Sequence, residues 1–488
     1  MDLLPNAAIE SLKQDASSDK KDICIIGAGP GGLAALQIIM ESPQYKEGLW
    51  HPTAFEERDK VGGIWVPAPP KDDPPITPLY DSLTTNLPHP IMCYDSLPFP
   101  PSTALFPHAV AVEKYLADFA THFNLFPHIR LETTVLGIDW DASTAKWRVS
   151  VSSGEEHAYD LLIVANGHYR VPRYPATPGI ATWIAAGKAM HSAWYRHPEH
   201  KGRTVLVVGG GPSGLDISAE LRGVARVVIH SVTDGVPEDS DDGTFKRRGL
   251  ITEYLDVGEG KVVFEDGSTE TGIDHCIVAT GYQHHQPYFP PSLLRVAVPP
   301  PVPPIPPTLY NSTYHLFPLA RHLFPLSKDF PPSRICFLGL LKGVAPLPLM
   351  EAQVRAALKI FAEPEHFDST QESIGVIARY EELRARVGAD ELRIAATWHI
   401  FAPQEQFDYR DELHAWIGEE DRVPAWVREM YDKRDVLRAE WRDLERLGEA
   451  DEWVHGVGEG GMDEWVEMMR KLLRRAEDRK REECKTRL

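Results

Sequence analysis

Asp22-Ile23-Cys24-Ile25-Ile26 runs into Gly27-Ala28-Gly29-Pro30-Gly31-Gly32, and Thr204-Val205-Leu206-Val207-Val208 runs into Gly209-Gly210-Gly211-Pro212-Ser213-Gly214. Each is an apolar strand ending in spaced glycines, with an Ala/Leu/Ile-rich helical run behind it. Such a turn grips a pyrophosphate with backbone alone. The first glycine allows the tight turn, the second lets the backbone approach the phosphate, and the third lets helix pack on strand. Free N–H groups and the helix dipole favour the anion. Two copies predict two dinucleotides in one protein.

The strands that follow the two copies end differently. After the first, Ala54-Phe55-Glu56 places a carboxylate where a ribose diol can donate to it, as in FAD. After the second, Val227-Val228-Ile229 ends in His230-Ser231 with no acid. An acid there would repel a 2′-phosphate, so NADPH fits and NADH loses its usual partner. Lys246, Arg247 and Arg248 are basic candidates for that phosphate, at a distance the linear sequence leaves open.

These turns need sheets to hold them, and the chain repeats loosely to supply two. Apolar strands ending in small residues recur at 161–167 and 276–282, each after a stretch that reads as a meander, at 135–151 and 261–267. Residues 287–332 form a proline-rich belt, expected to be an extended linker back to the first domain. Residues 335–340 read as one more buried strand, and helical patterns dominate from 349 onward. The tail from 437 mixes charges with spaced Trp and Leu, an amphipathic pattern that also suits a homodimer.

Composition narrows the partners. At 488 residues the chain is long enough for two or three domains, and its net charge of −20 disfavours nucleic acid and anionic lipid. Five scattered cysteines without a CxxC pair offer neither a structural zinc site nor a redox dithiol, and suit a reducing compartment. Neither an apolar signal core nor an 18-residue apolar run is seen. A cytoplasmic protein without a membrane span is expected, and the sequon at Asn311 reads as accidental.

Further motifs resemble those of the flavin-containing monooxygenases, the class B flavoprotein type of fungi and yeasts. Glu56 is followed by Gly62-Gly63-Ile64-Trp65, matching that family's GGxW. Thr84-Thr85-Asn86-Leu87-Pro88 resembles its active-site Asn segment, and Ala279-Thr280-Gly281-Tyr282 its ATGY strand end. The motif FxGxxxHxxx(Y/F)(K/R) recurs as residues 185–196, with Ala185 in place of the opening Phe and Gly187, His191, Tyr195 and Arg196 in place. The matches cover about residues 22–353, and the C-terminal third resembles the family only loosely.

The resemblance implies an α/β fold: two dinucleotide-binding, Rossmann-like domains with β-meanders, the NADPH domain inserted in the FAD domain, plus a helical C-terminal region. The expected divisions are a flexible 1–20, FAD-binding parts at 21–171 and 331–436, an NADPH-binding domain with its proline-rich linker at 172–330, and a helical extension at 437–488. FAD would be held by Gly27, Ala28, Gly29, Pro30, Gly31, Gly32, Glu56, Ile64, Trp65, Asn86, Leu87 and Val135. NADPH would be held by Thr85, Asn86, Gly209, Gly211, Pro212, Ser213, Gly214, Leu215, Asp216 and Ser231.

The implied chemistry is hydride transfer from NADPH to FAD, then dioxygen forming a C4a-hydroperoxyflavin that oxygenates N or S of a small soft nucleophile. Asn86 is the expected catalytic neighbour, a neutral amide that brings no stray charge. His191 is read as structural, a residue orienting the two domains, because a lone histidine more often is. His284 and His285 read as surface residues and no metal is expected. A Baeyer–Villiger monooxygenase is the first alternative, although Tyr195-Arg196-His197 lacks that family's aromatic-proline step. A flavoprotein serving as an NADPH oxidase or sensor is the second.

Overall fold

The computed structural model describes residues 20–200 and 202–486. Of the expected flexible stretch 1–20, all but Lys20 lies outside them, as do Arg487 and Leu488. By packing, the chain divides into two units: Met1–Gly63 with Thr84–Gly167 and His284–Leu488, and Ile64–Leu83 with His168–Gln283.

The first unit is built on a five-stranded parallel sheet. Lys21–Ile26 lies at its centre, flanked by Trp50–Phe55 and Leu161–Val164, with Ile129–Arg130 and Ile335–Phe337 at the edges. Four of these strands come from the first half of the chain, so the return of residues 335–337 completes the sheet. The uninterrupted apolar runs Cys24-Ile25-Ile26 and Leu161–Val164 are fully buried, as parallel strands covered on both faces require. The expected meander is present as Val135–Asp141, Lys146–Val151 and Glu156–Tyr159, all antiparallel. Asp141 makes its turn by accepting the Ser143 N–H at 2.9 Å.

A six-stranded sheet forms the second unit, in the order Glu238–Asp239, Phe245–Arg248, Val227–Ser231, Thr204–Val208, His275–Val278, Ala189–His191. Beside it a second meander pairs Ile251–Tyr254, Val262–Phe264 and Thr269–Glu270. Both units are thus strand–glycine turn–helix–strand cradles with a meander attached, as the repeated motifs imply.

Three expected boundaries move. Residues 64–83 belong with the second unit, because Arg196 donates to the carbonyls of Ala68 at 3.3 Å and Thr77 at 3.0 Å. The proline-rich belt is not a plain linker. From His284 it is part of the first unit, where Tyr288, Phe289, Leu294, Leu309 and Leu316 enter the core between the prolines. The division at 436/437 falls inside helix Arg434–Leu447, which packs with the rest of the first unit. Among the described residues no helix is long and apolar enough to cross a membrane.

Candidate functional site: two nucleotide cradles and an exposed amide

In the first cradle the strand Lys21–Ile26 breaks at Gly27, whose φ of +99° suits glycine. A Cβ on Gly32 would overlap the Gly27 carbonyl, so the third glycine is fixed by packing alone. Helix Pro30–Glu41 starts at Gly29 with no side-chain cap and with Pro30 at its first position. Its first-turn N–H groups are therefore left to an outside acceptor. Gly31 packs toward Ala165 and Leu338. Gly63 closes against the turn: a Cβ on it would lie 3.0 Å from Gly29 Cα, and Gly62 N–H donates to Ala28 O at 3.0 Å. The Gly62-Gly63 pair thus acts by close backbone approach.

Glu56 stands at the tip of the neighbouring strand and is 5% exposed. One carboxylate oxygen accepts Ala28 N–H at 2.9 Å and the other Arg58 N–H at 3.0 Å. Burial raises its pKa, against the two backbone hydrogen bonds that lower it. A carboxylate has about four lone-pair sites, so roughly two remain for a ribose diol. Val135 opens the first meander and is buried in its core. Ile64 and Trp65 end the short 3-10 turn Gly63–Trp65, half-buried, and belong by packing to the second unit.

Asn86 differs from its neighbours. Thr85 is 2% exposed and its hydroxyl donates to Leu87 O at 2.7 Å, while its N–H donates to Pro107 O at 3.0 Å. Leu87 is 5% exposed. Thr84 bridges to His108, and His89 N–H donates to Leu105 O at 2.9 Å. Between these anchors the Asn86 side chain is exposed and makes no hydrogen bond among the described residues. With its hydroxyl used and buried, Thr85 has only limited means to contact NADPH.

The second cradle repeats the first. Gly209 has φ +126°, a Cβ on Gly214 would overlap the Gly209 carbonyl, and helix Pro212–Leu221 starts at Gly211 uncapped, with Pro212 at its first position and Ser213 at its second. Gly211 is the informative position, because a Cβ there would meet no protein atom within 4 Å. The backbone there is open to close approach. Asp216, on the same helix, accepts from the Tyr80 hydroxyl at 2.9 Å.

The sequence offered Lys246, Arg247 and Arg248 as bases for a 2′-phosphate, and of these Arg247 borders a cavity, together with Arg222. The cavity, of about 510 Å³, is bordered by Gly210, Leu215, Arg222, His230, Phe245 and Arg247, with Glu238 also lining it. The Arg222 guanidinium lies 3.4 Å from the Phe245 ring centroid, a cation–π arrangement that leaves its N–H edges available. Neither Arg222 nor Arg247 makes an ion pair among the described residues. Lys246 and Arg248 are already paired, with Glu270 and, for Arg248, also Asp239. Arg222, at the end of the fingerprint helix, was missed in the sequence; its only signal was a base directly after Leu221.

His230 explains the missing acid. Its Nε2–H donates to Gly209 O at 2.9 Å, so the residue at the strand tip braces the glycine turn, and burial lowers its pKa. Ser231 is 1% exposed and its hydroxyl donates to Gly249 O at 2.8 Å, which turns it from the ligand-facing role expected of it. His191 is likewise part of the framework. Its Nε2–H donates to Gly281 O at 3.0 Å and its Nδ1 accepts Ala193 N–H at 3.1 Å, a neutral tautomer whose pKa burial pushes down to about 4. It ties residues 189–196 to the ATGY turn within the second unit. The four described cysteines are buried, with thiols raised by desolvation, so none is poised as a nucleophile. His284, expected at the surface, is 1% exposed and packs beside His399 at 5.4 Å between ring centroids.

Two glycine cradles, one with an acidic strand tip and one with a basic cavity, define a two-dinucleotide oxidoreductase fold. The sequence model of the "Flavin-binding monooxygenase-like" family matches residues 20–237 and 232–427, and the chain belongs to that family. FAD and NADPH are the cofactors of these enzymes, and the uncapped helices, the Glu56 carboxylate and the open space at Gly211 fit them. The chain is 30% identical to Flavin-containing monooxygenase 3 of Rattus norvegicus over 352 residues, 57% of this chain and 65% of that one. It thus spans less than two thirds of that relative's length. With Flavin-containing monooxygenase FMO GS-OX-like 2 of Arabidopsis thaliana it shares 28% identity over 481 residues, 89% of this chain and 94% of the relative. The solved S-allyl-L-cysteine S-oxygenase from Allium sativum superposes with a TM-score of 0.71 at 25% identity, covering 89% of this chain and 98% of that one.

Proposed function

We propose that this chain is an FAD- and NADPH-dependent monooxygenase that oxygenates nitrogen or sulfur of a small soft nucleophile. The observation carrying this reading is the pairing, in one chain, of an acidic-tipped cradle and a basic-lined one, with no described thiol fit to take electrons onward. When bound, FAD accepts hydride from NADPH and activates dioxygen. The protein's own residues bind, orient and shield.

Gly27 to Gly32 and the first turn of helix Pro30–Glu41 receive one pyrophosphate, and Glu56 accepts from the adjoining ribose. Gly209 to Gly214 receive the other, with Arg222 and Arg247 on the 2′-phosphate. Asn86 presents a neutral amide that donates and accepts hydrogen bonds at the reacting centre without releasing a proton. Its exposed side chain, without a hydrogen-bond partner among the described residues and set between buried anchors, supports that role. Likeness to the S-allyl-L-cysteine S-oxygenase of Allium sativum favours a sulfide as first substrate to try.

The test is product analysis with a small sulfide and a tertiary amine, alongside peroxide release. A sulfoxide or N-oxide formed in proportion to NADPH consumed supports the reading. NADPH consumption matched entirely by hydrogen peroxide overturns it. Asn86→Ala should shorten several-fold the transient absorbance that follows mixing of oxygen with the NADPH-reduced holoenzyme. An unchanged lifetime in stopped-flow spectra removes Asn86 from the mechanism.

A further inference from the structure

The family match ends at residue 427, yet the tail helix beyond it packs against the short helix His89–Met92 that follows Asn86. Helix Arg434–Leu447 and the tail helix Met462–Thr486 lie side by side, joined through charges. Glu440, 2% exposed, accepts from Arg475 and Arg479, and Asp443 accepts from the same two arginines. Arg470 adds a link to Glu429 at 3.0 Å. This charge network fixes one face of the tail helix.

From that helix the buried Trp465 reaches the short helix His89–Met92, which begins three residues after Asn86. Its ring meets His89 edge-on, with centroids 4.3 Å apart and planes at 83°. His89 in turn lies 5.1 Å from Phe99, which stacks on Tyr115 at 3.8 Å. Tyr115 is fixed by donating to Leu97 O at 2.5 Å and accepting Tyr94 N–H at 3.0 Å. The turn before the tail helix adds two backbone ties, Ser102 N–H to Val457 O and Gly456 N–H to Ser102 Oγ, both 2.9 Å. Gly458 leaves room for the indole: a Cβ there would lie 2.5 Å from Trp465 Nε1.

Asn86 is therefore fixed from two sides. Thr84 and Thr85 anchor it to residues 107–108. On the other side the anchor is His89, whose ring packs against both Phe99 and Trp465. A turn is only as well placed as its weaker end, and an error of about 1 Å at a reacting group can cost about a hundredfold in rate.

We propose that Trp465 is a positioning residue for the oxygenation site, fixing the Asn86 turn through His89, and that the tail beyond the family match is thereby a working part of that site. The proposal rests on the reading of Asn86 given above. It is tested by hydrogen–deuterium exchange on the full-length, FAD-loaded enzyme, together with peroxide released per NADPH consumed. Trp465→Ala should raise exchange in a peptide covering residues 84–92 by about threefold or more, a local loosening, and should increase the peroxide ratio at unchanged FAD content. Trp465→Phe, which restores a ring against His89, should return both to wild-type values. Should Trp465→Ala fail to accumulate, Trp465→Leu keeps apolar volume without a ring and is read in the same way. Unchanged exchange at 84–92, or a rise that Trp465→Phe does not reverse, overturns the proposal. Asn86→Ala run in parallel separates the two ideas: if it leaves the oxygen-dependent transient unaltered, the reading of Asn86 fails. If it shortens the transient while Trp465→Ala does not disturb residues 84–92, only the role of Trp465 fails.

Discussion

Arg222 shows what a single side chain can contribute once the fold has delivered it. Stacked on Phe245 and without an acidic partner among the described residues, it faces a cavity at the second glycine turn. A charge-assisted hydrogen bond to phosphate is worth about 1.5–3 kcal/mol, so Arg222→Ala should raise the KM for NADPH about tenfold or more. The KM for NADH should barely move. Equal effects on both nucleotides, in steady-state assays, would make Arg222 a structural residue. Glu351 carries a different prediction. It is 2% exposed and accepts from Asp95 N–H, Ser96 N–H and the Ser96 hydroxyl. Burial, and then the neighbouring Asp95 charge, push its pKa up to about 7, against those hydrogen bonds. Because the folded value lies above the unfolded one, its stabilising contribution is complete below pH 4.5 and lost as pH rises through 7. The difference in Tm between wild type and Glu351→Gln should therefore fall between pH 5 and pH 8. A constant difference would mean that Glu351 keeps one charge state throughout.

At the scale of the element, the cradles separate glycines needed for packing from those needed for a ligand. Gly32 has no room, since its Cβ would collide with the Gly27 backbone carbonyl and backbone cannot swing aside. A Cβ on Gly211 would meet no protein atom within 4 Å, and its φ of −75° is ordinary. Gly32→Ala should yield little yellow protein, because the strand–helix contact must open. Gly211→Ala should fold with a Tm within about 2 °C of wild type, as for a strain-free surface change, and still bind NADPH about tenfold more weakly, by loss of a close phosphate approach. Thermal melts and nucleotide titration check both. A Gly211→Ala enzyme with normal affinity would place the pyrophosphate elsewhere. The same scale explains His230: a histidine at the strand tip braces Gly209, a task an acid could not perform as a donor.

For the whole molecule, the decisive feature is how segments distant in sequence are gathered into two bodies. Arg196, last residue of the 185–196 motif, donates to four backbone carbonyls, those of Ala68, Thr77, Ala193 and Tyr195. With Tyr195 packed on Tyr80 at 5.9 Å, it secures Ile64–Leu83 to the second unit. Arg196→Ala strands those carbonyls, at about 1–3 kcal/mol for each left buried. Limited proteolysis should then cut within 64–83, where wild type resists. An unchanged cleavage pattern would show that the aromatic contacts suffice.

The glycine turns, their strands, the two meanders, the strand at 335–337 and the acidic tip at Glu56 were all legible in the sequence, because each is set by neighbours a few residues away. So was the family, through short motifs of fixed spacing. Tertiary structure alone decided that Arg222 rather than Lys246 or Arg248 lines the cavity, that the hydroxyls of Thr85 and Ser231 are spent on the fold, and that His284 is buried. It alone also put the proline belt into the first unit's core and Trp465 against His89. These depend on contacts between residues tens to hundreds of positions apart, and spacing along a chain carries no record of which distant side chain fills a gap or takes a hydrogen bond.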